Sequence, residues 1–405
     1  MRKKPEIEHD FRKDPLKLQV VDDMLYATGT TLGGDDGIAV AMGLAILASE
    51  KISHPPIELL VTTSEETGMG GALVLDPANI SGRTLINLDS EEEGILTVSC
   101  AGGCTAQICI PTAWEKANPD DRAFAVTIEG LLGGHSGAEI HKGRANANKL
   151  MGRLLNLLSA KMNLRLSAVS GGSKHNAIAR DAQAVVYVNQ SDESSLRKQI
   201  SGLEEVLRGK FKTADPGLRI AVKAAEKANE RVMTRESAEN VIRFLYLIPN
   251  GIQSMSMDIQ GLVESSLNLG VVETKEDDVE IISSIRSSVG SIKENIFDTI
   301  AAIGSLTNGK VSVEGEYPEW QYHPDSRIRE ICVDVYEKLF GKKPLVSAIH
   351  AGLECALFAK KFNGHLDMIS IGPTIIGVHT AEEHLSIPST QRTWNYLLEI
   401  LKALR

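Results

Sequence analysis

Residues 57–89, IELLVTTSEETGMGGALVLDPANISGRTLINLD, hold two short apolar runs of strand length, each followed at once by acids. Residues 57–63 (IELLVTT) read as one strand and 84–88 (TLINL) as another, since continuous apolar runs of this length suit strands buried on both faces. Between them, residues 68–75 are Gly-rich and compatible with a helix. Upstream, residues 39–51 (AVAMGLAILASEK) are apolar, rich in helix formers and free of proline. They read as a buried helix behind the loop Gly33-Gly34-Asp35-Asp36-Gly37. Short apolar strands alternating with helices predict an α/β fold whose mainly parallel sheet carries helices on both faces.

The pattern changes further along. Residues 123–129, 184–189, 262–272 and 279–286 alternate polar with apolar as strands, separated by amphipathic helices over 145–158, 236–247 and 289–306. This is the signature of an inserted α/β domain with a half-exposed sheet. A helix over 326–339, a strand ending near Gly372 and a helix over 389–404 return to the first pattern. The expected division is residues 1–105 and 315–405 as one domain, with 106–314 inserted. A length of 405 residues also exceeds one typical core.

Composition narrows the function classes. Hydrophobic residues make up 42 % and charged residues 24 %, the profile of a soluble globular protein. No apolar run approaches the roughly 20 residues that cross a bilayer, and no apolar stretch follows the basic start, so neither a membrane partner nor a signal peptide is expected and the cytoplasm is the expected location. The five cysteines form no Cys-x-x-Cys pair and read as reduced core thiols. A formal net charge of −10 argues against nucleic acid, which demands a basic footprint.

The placing of the acids is more specific. Glu65-Glu66 follows the first strand and Asp89 the second, where parallel sheets present ligands at their carboxyl ends. Asp35-Asp36 lies in a glycine-flanked loop before a helix, and His379 follows the strand ending near Gly372. Singly, each has an ordinary reading: Asp-Asp-Gly as a turn, Glu-Glu as a helix start, His379 as a solvated histidine. Their shared address favours one site. Carboxylate and imidazole donors suit zinc or manganese, and a two-metal centre needs a bridging carboxylate, terminal ligands and a nearby base.

Longer motifs add to this: ATGTTLGGDDGIAVA (27–41), TTSEETGM (62–69), NLDSEEEG (87–94), GLLGGHSGAEIHKGRANANKL (130–150), HAGLEC (350–355) and SIGPTIIGVHTAEE (370–383). Together, over nearly the whole chain, they resemble the co-catalytic zinc aminoacylase and carboxypeptidase family, and within it the dipeptidases that cleave aminoacyl-histidine. The resemblance implies a metallopeptidase with two divalent metal ions, zinc ahead of manganese or cobalt. It implies that Asp35 bridges them, that Glu66, Asp89 and His379 are terminal ligands, and that Glu65 is the general base for a metal-activated water. It further implies that the inserted domain is a lid, that His135 of Gly-Gly-His-Ser-Gly holds the substrate and its oxyanion, and that Asn176 of Asn-Ala-Ile-Ala-Arg contacts it. Arg286 is the candidate for the C-terminal carboxylate, which a guanidinium pairs bidentately. Each of these three also reads as an ordinary structural or surface group. Dipeptides, Xaa-His and others, are the expected substrates, with N-acyl amino acids or a non-catalytic role as alternatives. A homodimer formed through the lid is left open.

The family's first motif, His-x-Asp, supplies a further ligand, and the chain as written lacks it; His9-Asp10 matches a different family segment. That motif is expected upstream of Met1, either through an internal start assignment or through truncation. On this reading the chain as written binds at most one metal well, is nearly inactive, and exposes a sheet edge prone to aggregation.

Overall fold

The computed structural model describes residues 1–225 and 231–405. Contacts divide the chain into two units, one of Met1–Cys100, Trp320–Ile349 and Leu353–Arg405, the other of Ala101–Glu319 and His350–Gly352. No helix among the described residues is long and apolar enough to cross a membrane.

The first unit is built on four strands in the order Leu345–Ile349, Ile95–Cys100, Asp367–Ser370, Thr84–Asn87. The two outer pairs are parallel, and the central contact, Ser370 opposite Thr97, is antiparallel. Successive side chains of a strand face opposite ways. Leu85 therefore joins Ala72 and Phe358, from the helices Gly70–Val74 and Glu354–Lys361. Its neighbour Ile86 joins Met42, Ile46, Leu397 and Leu401, from the helices Gly34–Leu47 and Ile387–Ala403. The sheet is thus mainly parallel with helices on both faces.

One expected strand does not form. Residues 57–63 have no ladder partner among the described residues, and Thr84–Asn87 pairs on one side only, with Asp367–Ser370. A cavity of about 840 Å³ is lined by residues 55–62 together with 84–89. What ties the run down is a side chain: the Glu58 carboxylate accepts from the backbone N–H of Ser81 (3.0 Å) and Gly82 (2.7 Å). An apolar run becomes a strand only when a neighbouring strand satisfies its backbone, and among the described residues no strand pairs with it.

A second, antiparallel sheet in this unit orders Leu18–Val21, Met24–Ala27, His384–Ser386 and Ile375–Ile376. Its central register, Leu25 opposite Leu385 and Tyr26 opposite His384, stitches the beginning of the chain to its end. Loops 28–33 and 377–383 then leave the same short sheet.

The other unit is a nine-stranded sheet, antiparallel at every pairing among the described residues. Asp121–Glu129 alternates strictly, burying Phe124, Val126 and Ile128 on one face. Against that core pack the helices Ala147–Ser159, Glu193–Lys210, Arg235–Leu247 and Gly290–Leu306, through Leu154, Leu203, Phe244 and Ile300 among others. Phe244 has no exposed surface; truncating such a side chain to alanine costs about 3–5 kcal/mol. Helix starts are capped as the sequence allows, Asn146 accepting from Lys149 N–H at 3.2 Å. None of the five cysteines is in a disulfide.

Candidate active site

Every sequence-derived metal ligand lies in the first unit, on loops with unusual backbone. Gly33, at φ 70°, starts the helix Gly34–Leu47; Asp35 and Asp36 follow with non-helical torsions, joined by a cis peptide. Glu65 and Glu66 open a single 3₁₀ turn, Glu65–Thr67, entered through Ser64 at φ 60° and closed by Gly68 at φ 113°. Asp89 follows Thr84–Asn87, its N–H donating to Asn87 Oδ1 at 3.3 Å. His379 itself sits at φ 61°. Left-handed torsions at Ser64 and His379 cost on the order of 1–3 kcal/mol each and persist where the surroundings enforce them, typically at functional sites.

These loops bring donors together. His379 Nε2 lies 2.8 Å from Glu66 Oε2 and 3.3 Å from Asp35 Oδ2. One donor atom from each of Asp35, Glu66 and His379 falls within 4.8 Å of the others, the only such trio among the described residues. Metal–ligand bonds of about 2 Å set donors only a few ångströms apart, so the trio matches one divalent ion. Asp89 is not in it, although its carboxyl feels the charges of Asp36, Asp35, Glu65 and Glu354.

The electrostatics are those of a cradle made for a cation. Burial, then the negative charges of Asp35, Glu354 and Glu65, push the Asp36 carboxyl up to about 8. Burial and the same neighbours raise Asp89 well above the carboxylate range. Glu65 is raised by burial first and by Glu66 second; Glu354 by burial, against a hydrogen bond from Thr62 Oγ1 at 2.8 Å. Like charges gathered in a low dielectric favour the neutral form, and a divalent cation removes that conflict. The donors, carboxylates with one imidazole, fit zinc or manganese rather than a soft-metal site.

The three substrate-binding candidates lie in the other unit. His135 is on the two-residue strand Gly134–His135, paired with Ala177–Ile178, and Ser136 N–H donates to the Asn176 carbonyl at 2.9 Å. Arg286 lies on Asp278–Ser287, its Nη1 donating to Tyr317 Oη at 2.8 Å; its Nε is buried with no hydrogen-bond partner among the described residues. Gly137 is where they meet. A Cβ there stands 3.1 Å from His135 Cε1, 3.2 Å from Arg286 Nε and 2.7 Å from the His350 carbonyl, so only glycine fits. His135 Nδ1 accepts from Gly137 N–H (3.3 Å) and Ala138 N–H (3.0 Å), which leaves its proton on Nε2. Burial first and the Arg286 charge second lower the pKa values of His135, His175 and His350, the last to about 4.

Sequence reasoning passed over His350, Glu354 and Glu383 as site groups, although the first two lie in HAGLEC and the third four residues after His379. Spacing from His379 was a usable signal for Glu383. For the other two, nothing short of the fold reveals the partner.

Residues 5–403 match the model of Peptidase family M20/M25/M40. The chain belongs to that family. It is therefore a metallopeptidase, a hydrolase of peptides that works with divalent metal. Among curated relatives, the cytosol non-specific dipeptidase of Escherichia coli K12 is 38 % identical over 397 residues, 98 % of this chain and 81 % of that protein. The crystal structure of aminoacylhistidine dipeptidase from Vibrio alginolyticus superimposes with a TM-score of 0.97 at 35 % identity, over all of this chain and 82 % of that one. Aminopeptidase PepT from Bacillus cereus, at TM-score 0.51 and 15 % identity over 96 % of this chain and 76 % of that one, shares the fold alone.

Proposed function

We propose that this chain is a zinc-dependent dipeptidase of the cytoplasm that cleaves unblocked dipeptides, those ending in histidine among them. The observation that carries the reading is the convergence of Asp35, Glu66 and His379 donors within 4.8 Å, with the raised carboxyl of Glu65 on the adjacent residue. The names of the Escherichia coli and Vibrio alginolyticus relatives support the substrate class.

On this reading Asp35, Glu66, Asp89 and His379 would hold the divalent metal ions. When bound, the metals supply Lewis acidity that activates water and polarises the scissile carbonyl. The Glu65 carboxylate takes a proton from the attacking water and passes it to the nitrogen of the departing amine. His135, neutral and protonated at Nε2, donates to the carbonyl oxygen as negative charge develops there. Arg286 offers its unpartnered Nε–H to the C-terminal carboxylate, Asn176 contacts the peptide, and residues 106–314 serve as the lid that carries these groups.

The test is a side-by-side assay of aminoacyl-histidine dipeptides and N-acetyl amino acids on the zinc-loaded protein. Faster turnover of the dipeptides is expected. Preference for the acylated amino acids would replace this reading with an amidohydrolase on the same metal residues.

A further inference from the structure

Gly33 enters the helix Gly34–Leu47 with no side chain to cap it, and the Asp36 carboxyl accepts from Ala39 N–H further in. Helix starts leave backbone N–H groups that need acceptors, and here the acceptor arrives from the far end of the chain. The Glu383 carboxylate, 3 % exposed, accepts from Gly34 N–H at 2.7 Å and Asp35 N–H at 3.3 Å through Oε1, and from Gly33 N–H at 3.1 Å through Oε2. Consecutive amides turned to one side in this way form an anion-binding nest, and Glu383 fills it.

Both partners belong to the metal loops. Gly33–Asp35 carries the proposed bridging ligand, and Glu383 closes the loop that carries His379: its N–H donates to the Thr380 carbonyl at 3.3 Å, and Thr380 N–H to the Gly377 carbonyl at 3.2 Å. The short sheet already brings the two stretches close, Tyr26 opposite His384. Strand pairing sets the approach of the loops to within a residue; it does not fix the helix start, where Gly33 is left-handed and Asp35 extended. That last step falls to Glu383.

We propose that Glu383 is a positioning residue for the metal centre, holding the Asp35 backbone in register with His379 and thereby setting the donor spacing that binds the ion. This inference rests on the reading of Asp35 and His379 as metal ligands. Glu382, next along the chain, is the built-in control, because it is exposed and pairs with Lys4 at the surface.

The experiment measures binding of Mn²⁺ alone to the metal-free 405-residue chain by equilibrium dialysis, with the thermal midpoint of the metal-free form recorded for each variant. Glu383→Ala is expected to weaken Mn²⁺ binding by about ten- to a hundredfold, the usual effect of losing a group that orients a metal ligand. Glu383→Gln, which keeps one acceptor oxygen for Gly34 and Asp35, should recover part of that loss, and Glu382→Ala should match the wild type. A lower thermal midpoint with unchanged Mn²⁺ affinity in Glu383→Ala makes Glu383 a plain helix cap and overturns the inference. If the alanine variant does not fold, Glu383→Gln decides alone: an affinity equal to the wild type overturns the inference, and a reduced one supports it. A wild type that binds no Mn²⁺, or a folded Asp35→Ala that binds as well as the wild type, overturns the parent reading instead.

Discussion

The acidic loops of one unit and the imidazole–guanidinium group of the other face the same electrostatic problem with opposite sign. In the first, Asp36, Asp89, Glu65 and Glu354 are driven toward their neutral forms by burial and by one another. In the second, His135, His175 and His350 are driven toward theirs by burial and by Arg286. On the proposed reading each group takes a counter-charge from outside the chain: a cation for the carboxylates, an anion for Arg286. They differ in what holds them. The carboxylates hang on loops held by left-handed residues and by Glu383, whereas His135 and Arg286 lie on paired strands around Gly137. A metal site needs donors from several directions, which loops provide; a carboxylate grip needs one fixed face, which a sheet provides.

If that contrast is right, breaking each group should damage a different step. Glu65→Gln is expected to lower kcat by roughly 10²–10⁴-fold, the range for a lost general base, while metal content by atomic absorption stays that of the wild type. Loss of metal along with activity would place Glu65 among the ligands instead. Arg286→Lys keeps the charge and loses the planar fork. Charge-assisted hydrogen bonds contribute about 1.5–3 kcal/mol each, so kcat/KM for a dipeptide with a free C-terminus should fall by roughly 10- to 100-fold. The same dipeptide as its C-terminal amide should be cleaved at a rate close to the wild type's. Equal losses on both substrates would remove the anion from the comparison and leave Arg286 a structural group.

What the sequence disclosed of this division follows from how local each signal is. The helices Ala147–Ser159, Arg235–Leu247 and Gly290–Leu306 stand within two residues of their expected bounds, since an apolar stripe is a property of a single segment. The same holds for Asp278–Ser287, whose alternation shows its one buried face. Residues 57–63 failed as a strand because pairing depends on a neighbour that no local pattern reveals. The helix Glu193–Lys210 escaped because its buried Leu196, Ile200, Leu203 and Leu207 are diluted among charged residues. At the site, the acids were legible by their place beside apolar runs, and Asp35, Glu66 and His379 do meet. Glu383 was marked only by its spacing from His379; its role was not legible, because its partners lie 348 to 350 residues away.

The smallest effect tests the sheet-borne group by pH. His350 Nε2 and Ser266 Oγ share a hydrogen bond of 2.7 Å, and burial with the Arg286 charge brings the imidazole down to about 4 from an ordinary 6.5. Between those two values the unfolded chain binds a proton that the folded chain refuses. Stability therefore rises with pH across the window: the contribution is complete above about 6.5 and is lost as pH falls toward 4. His350→Gln cannot titrate, yet its amide still reaches for Ser266. In denaturant titrations its stability should fall less steeply than the wild type's from pH 6.5 to 4, by no more than about 1.4 kcal/mol per pH unit, the limit for a single proton. Above pH 7 the two curves should run parallel. Parallel curves throughout would mean that His350 is protonated in the folded state as readily as in the unfolded one. The Arg286 guanidinium would then be screened from it, and the cluster would no longer be the positive counterpart of the acidic loops.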